Sequence, residues 1–158
     1  MRIELAIVCI LMSSAARAGD RESPASRHLV YFELLGKAGE YGVGYEYTLM
    51  PWLAVGGAAS FAVVGDQQIA TGAPYIHLTP LRHHDHAMYF ELGAILAHSR
   101  IPSPVSDWKG MSNTGSGGFL SLGYEHTSRH LVFRASGSAV AGAGGLGPMV
   151  GISIGARP

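Results

Sequence analysis

Two short motifs occur twice in this chain, and every copy sets a carboxylate inside an apolar, β-favouring run. Tyr31-Phe32-Glu33-Leu34 returns as Tyr89-Phe90-Glu91-Leu92, and Gly44-Tyr45-Glu46-Tyr47-Thr48 returns as Gly123-Tyr124-Glu125-His126-Thr127. An ionised glutamate is costly in an oily core or on a lipid face, but it is tolerated where it is paired inside a polar interior. The spacing therefore predicts one interior polar layer built from Glu33, Glu46, Glu91, Glu125, Arg134 and His77. One arginine cannot neutralise four carboxylates. Donors such as Tyr31, Tyr89, His77, Ser121 and Ser136, or protonation of some of the glutamates, must make up the difference. Such a layer reads first as a structural plug, and second as a proton or cation site.

Three other groups could carry chemistry. His83-His84-Asp85-His86 offers three imidazoles and a carboxylate to a borderline metal such as Zn²⁺ or Ni²⁺. Its consecutive spacing matches no usual zinc pattern, so a solvated turn is the expectation. Asp107-Trp108-Lys109 sets a tryptophan between opposite charges and is a candidate contact for a partner. His126-Thr127-Ser128 is similar to the His-x-Ser motif of outer-membrane lipid A deacylases. Arg129 stands where those enzymes carry asparagine, and Glu125, the adjacent acid, points to the opposite face of a strand. No Gly-rich loop leads from a strand into a helix, so no nucleotide and no other cofactor is expected, and the chain is read as non-enzymatic.

The elements that must position these residues are strands. Of 158 residues, 22 are glycine and only 14% are charged, and the net charge is zero, which gives no electrostatic pointer to nucleic acid. Residues 1–18 have the form of a secretory signal peptide: Arg2, an apolar run from Leu5 to Met12, and Ala16-Arg17-Ala18 as a small-x-small cleavage site. The sole cysteine, Cys9, lies in that run, so the mature chain has no thiol chemistry. A short polar leader follows at 19–27, and 28–158 is read as one domain. Of its apolar stretches, Trp52 to Gly65 is shorter than the roughly 20 residues of a spanning helix and holds three glycines, while Gly137 to Ala156 is long enough but carries seven glycines and Pro148.

Turn signals instead divide the domain into eight runs near 28–36, 40–49, 52–64, 69–79, 87–98, 117–127, 130–139 and 148–156. Along them bulky apolar residues alternate with small or polar ones. Val150, Ile152 and Ile154 oppose Met149, Gly151, Ser153 and Gly155, and Leu120, Leu122 and Tyr124 oppose Ser121, Gly123 and Glu125. Small residues make a poor covering face for a sheet but suit the crowded lumen of a narrow barrel. The links also alternate. Those at Met50-Pro51, Pro80–His86 and Ser128-Arg129 fall on the side of the termini, while Gly36–Gly39, Gly65–Gln68, the long Arg100–Ser116 and Val140–Gly147 fall on the other. That pattern of short periplasmic turns and longer external loops is the one membrane barrels use. Tyr47, Trp52, Tyr89 and Tyr124 cluster toward the terminus side as an aromatic girdle. The expected fold is all-β: an eight-stranded, antiparallel, up-and-down transmembrane β-barrel after a cleaved signal peptide.

With these residues in view, the chain resembles the small outer-membrane β-barrel proteins of Gram-negative bacteria, and most of all a largely uncharacterised eight-stranded group. The first hairpin of that group reads roughly Tyr-x-Glu-Leu-Leu-Gly, a glycine-containing loop, then Tyr-x-x-Asn-Tyr-Glu. Here these are Tyr31 to Gly36, then Tyr41-Gly42-Val43-Gly44-Tyr45-Glu46, with Gly44 in place of the asparagine. Phe90-Glu91-Leu92-Gly93, Gly123-Tyr124-Glu125 and Phe133-Arg134-Ala135 extend the resemblance over most of 28–156. The chain ends on Arg157-Pro158 rather than on the aromatic residue usual in such barrels. The resemblance implies residence in the cell outer membrane, outer-membrane lipid and the barrel assembly machinery as partners, no catalytic residues, and a structural or surface-interaction role. A monomer is expected. The principal rival is a soluble, lipocalin-like periplasmic barrel, which requires the bulky faces to point inward and the glutamates to face water.

Overall fold

Alternation of this kind closes the chain on itself. The computed structural model describes residues 26–101 and 110–158; the signal segment, residues 19–25 of the leader, and Asp107, Trp108 and Lys109 lie outside them. Eight strands follow one another: β1 (His28–Gly36), β2 (Gly39–Met50), β3 (Leu53–Val64), β4 (Gln67–His83), β5 (His86–Ile101), β6 (Met111–Ser128), β7 (Leu131–Gly142) and β8 (Gly145–Ala156). Each is antiparallel to the next, and β1 pairs with β8, with Glu33 opposite Ser153, so the sheet has no free edge.

The strands outrun the turn signals in several places. The links predicted at Pro80–His86 and Val140–Gly147 shrink to the two-residue turns His84-Asp85 and Ala143-Gly144. Trp52 sits in the turn before β3, not within the strand. Proline removes one ladder donor but does not end β4, because a bulge absorbs it: Leu78 pairs with Phe90, while Leu81 pairs with Met88.

The inside and outside are inverted relative to a water-soluble domain. Among the most completely buried large side chains are Glu46, Glu91 and Glu125. Val150, Ile152 and Ile154 are exposed, as are Phe32, Phe61, Phe90, Leu92 and Leu122. So continuous an apolar exterior has no place in water and is the lipid-facing band of a membrane barrel. The lipocalin-like alternative is thereby corrected, since the bulky faces point out and the carboxylates point in.

The lumen is filled by rings laid on glycines. Four cross-strand pairs face inward: Tyr31 opposite Gly44, Tyr75 opposite Gly56, Tyr89 opposite Gly123 and Phe119 opposite Gly93. A Cβ at any of these glycines would collide with its partner ring. The repeated motifs are therefore each other's cross-strand partners, once in β1–β2 and again in β5–β6. These two pairs lie four strands apart, on opposite walls of an eight-stranded barrel.

Candidate functional site

β-Strand periodicity puts the four motif glutamates on the inner face, and Arg134 is aimed at two of them. Arg134 lies directly opposite Glu125 in the β6–β7 ladder. Its Nε donates to Glu125 Oε2 at 2.7 Å, while Nη1 and Nη2 reach across the lumen to β2 and donate to Glu46 Oε2 and Oε1, both at 2.9 Å. The planar guanidinium is suited to this two-pronged grip, which a lysine ammonium cannot reproduce.

A second centre lies beside it. Lys37 Nζ is 3.0 Å from Glu33 Oε1 and 3.1 Å from Glu91 Oε2, and it sits over the Tyr75 ring at 4.6 Å. His77 links the two centres. Its Nδ1 is 3.2 Å from Glu91 Oε1 and 3.5 Å from Glu46 Oε2, its Nε2 is 3.1 Å from Thr79 Oγ1, and its ring stacks on Tyr89. Below, toward the termini, Arg82 Nη2 meets Glu125 Oε1 at 2.9 Å and Arg157 Nη2 approaches the same oxygen at 3.7 Å. All six residues expected in the polar layer are buried in one network.

The charge imbalance read from the sequence disappears. Lys37, Arg82, Arg134 and Arg157 stand against Glu33, Glu46, Glu91 and Glu125, and no carboxylate has to be protonated for neutrality. Three of the four cations come from places that strand periodicity alone assigns to loops or ends. Lys37 is in the β1–β2 turn, where Leu35 adopts a left-handed φ of 55° and folds Gly36, Lys37 and Ala38 into the barrel mouth. Arg82 follows the Thr79-Pro80 bulge, whose extra residue shifts the parity so that Leu81 faces out and Arg82 faces in. Arg157 follows β8 in the same parity as Ser153 and Gly155, and its amide continues the ladder to His130 O at 2.8 Å. The inward parity of Ser153 and Gly155 was the available signal for Arg157; the two others depend on backbone irregularities.

Arg82 and Arg157 share one oxygen, and the Arg82 side chain keeps 23% of its exposure. Arg82→Ala is therefore expected to cost about 1 kcal/mol or less, measured by urea unfolding of the reconstituted barrel. A loss as large as that from removing Arg134 would contradict this ranking.

Glu46, His77 and Glu91 hold ligand-type atoms within 4.8 Å of one another. Both oxygens of Glu46 already accept from Arg134, and His77 Nδ1 is taken up by Glu91, so the trio belongs to the ionic network. His83, His84 and His86 are not gathered about one point. His83 and His86 flank a two-residue turn as a cross-strand pair, His84 sits at its tip with φ of 52°, and His86 turns instead to the Tyr124 hydroxyl and the His126 ring. In the His126-Thr127-Ser128 motif, Glu125 is turned inward to Arg134 and Arg82, so the motif supplies no acid partner for His126. That leaves the deacylase resemblance without a triad.

No protein-family profile and no curated protein matches the chain. Solved structures do. The N-terminal β-barrel domain of Pseudomonas aeruginosa OprF is similar with a TM-score of 0.57 and 16% identity, over 82% of this chain and 93% of that one. Ail, the attachment invasion locus protein of Yersinia pestis, is similar with a TM-score of 0.55 and 12% identity, over 83% and 93%. A second Ail structure, in complex with the heparin analogue sucrose octasulfate, gives 0.50 and 12%, over 83% and 96%. At these identities the likeness establishes the fold: the closed eight-stranded barrel of outer-membrane proteins.

Proposed function

We propose that this chain is an outer-membrane barrel whose lumen is sealed by a neutral salt-bridged plug, and that it acts without catalysis, as a structural or surface-interaction protein through the loops on the side away from its termini. The observation that carries this reading is the inversion of polarity: lipid-compatible side chains cover the outside while four carboxylates and four cations fill the inside. Arg134 spans the lumen from β7 to β2, and Tyr31, Tyr75, Tyr89 and Phe119 occupy the space around it, which supports a filled barrel over an open pore. The barrel domain of OprF and the attachment protein Ail share this architecture, and Ail's name supports the surface-interaction reading.

The experiment is expression followed by fractionation and electrophoresis with and without boiling. The expected result is a heat-modifiable band in the outer-membrane fraction; recovery from the soluble periplasm would overturn the reading. In planar bilayers the purified barrel is expected to give no discrete current steps. Reproducible unitary steps would replace the plug with a channel.

A further inference from the structure

The lower edge of the lipid face carries a device that the repeat makes twice. In β1–β2, His28 Nδ1 lies 2.6 Å from the Tyr45 hydroxyl. In β5–β6, His86 Nδ1 meets the Tyr124 hydroxyl, and the two pairs occupy equivalent positions of the duplicated motifs. All four side chains are exposed on the outer wall, immediately beyond the apolar residues Val30 and Phe32 on one side and Met88 and Phe90 on the other. Where the tyrosine hydroxyl donates to Nδ1, the hydrogen sits on Nε2, and that imidazole presents a donor at the level where hydrocarbon gives way to headgroups. His126 stands next to His86, with ring centroids 4.9 Å apart. Arg27 and Arg129 are exposed at the same rim, where Asp85 is the one exposed acid among the described residues.

From this geometry we infer that the terminus-side rim is a belt for the phosphate groups of anionic phospholipid in the adjoining leaflet. The inference rests on the membrane reading above. A lipid phosphate fits better than a soluble acidic protein for two reasons. The donors project sideways from the wall beside the apolar band, and the pairs stand on opposite walls of the barrel, as a ring of lipids requires and a single docked partner does not. Arginine offers charge and the imidazole a hydrogen bond to a phosphate, and each cation near an anionic surface is worth about 1 kcal/mol, roughly fivefold in local lipid preference.

The test is the full barrel reconstituted in vesicles of equimolar phosphatidylcholine and phosphatidylglycerol, then extracted with its bound lipid and examined by native mass spectrometry. The wild type is expected to retain phosphatidylglycerol about fivefold over phosphatidylcholine. In His28→Phe/His86→Phe, which keeps aromatic rings at the interface but removes the donors, retention falls below the wild-type preference, and adding Arg27→Gln and Arg129→Gln brings it toward parity. His98→Phe, at the opposite edge of the lipid face, leaves the preference in place. An unchanged preference in the double variant overturns the proposal, and so does parity in a wild type that remains heat-modifiable. Loss of retained phosphatidylglycerol to inorganic phosphate at matched concentration would assign the site to a free anion and overturn the lipid assignment. A chain that stays out of the vesicles overturns the membrane reading itself, a failure that is visible separately.

Discussion

Arg134→Leu is expected to cost about 3–5 kcal/mol of folding free energy, because it leaves Glu46 and Glu125 buried without their shared cation. The cost is not the value of three hydrogen bonds. A buried ion pair is often no better than an apolar replacement of the same shape, but removing one partner strands the other in a medium that cannot solvate it. Glu46 on β2 loses its two-pronged partner and Glu125 on β6 falls back on Arg82 and Arg157, across a lumen already filled by tyrosine rings. Arg134→Lys is expected to recover only part of the loss, since one ammonium cannot bond Glu46 through both oxygens and hold Glu125 as well. Arg134→Leu combined with Glu46→Gln should recover more, because Glu125 keeps Arg82 and Arg157 and the three remaining cations balance the three remaining carboxylates. Urea unfolding of the reconstituted barrel reads all three, and the heat-modifiable band should be lost first in Arg134→Leu. A single variant as stable as the wild type would mean that the arginine is not the keystone of the plug.

Gly44→Leu and Gly123→Leu are expected to destabilise the barrel by about 1–3 kcal/mol each, through overpacking and not through loss of backbone freedom. In both cases the new side chain enters the space of an inward ring on the neighbouring strand, Tyr31 or Tyr89. Gly137→Ala is the matched control: Gly137 is exposed on the outer wall and a Cβ there meets nothing within 4 Å, so its effect should stay within about 0.5 kcal/mol. Because ring and glycine share one space, Tyr31→Ala and Gly44→Leu together should cost less than the sum of the two alone. Additive losses, measured by the same urea titration, would show that the ring does not fill the room above the glycine.

Strand number, facing and the glutamate layer were legible because β-structure is read with a period of two, and contrast between the faces is strong. In β8 every outward residue from Val150 to Ile154 is bulky and every inward one is small. Two cations of the plug were not legible and a third only by its parity, for physical reasons that differ. Arg82 lies beyond Pro80, which reads as the end of a strand until the bulge restores the ladder with opposite parity. Lys37 sits between glycines in a turn that would ordinarily face solvent, and only the left-handed Leu35 carries it inward. Arg157 keeps the inward parity of Ser153 and Gly155, but it lies past the last residue of β8 and is itself followed by proline. The alternation therefore pointed to the acids and to one base; the turn at Lys37, the bulge before Arg82 and the continued ladder at Arg157 supplied the rest of the balance. The repeated motifs changed meaning in the same way. Their register makes them partners of each other, Tyr31 on Gly44 and Tyr89 on Gly123, so the repetition describes two opposite walls of one barrel.

The central claim is that the bulky face meets lipid while the polar face closes on itself. It is tested most directly by single tryptophans on β6, β7 and β8, in a background with Trp52 and Trp108 replaced by phenylalanine, reconstituted in vesicles of brominated and ordinary lipid. Bromine quenches indole only on contact. Ile152→Trp and Ile154→Trp are expected to be strongly quenched and Gly137→Trp likewise, while Phe119→Trp, which replaces an inward ring, is expected to be quenched little. Strong quenching at position 119 with none at 152 and 154 would contradict the account.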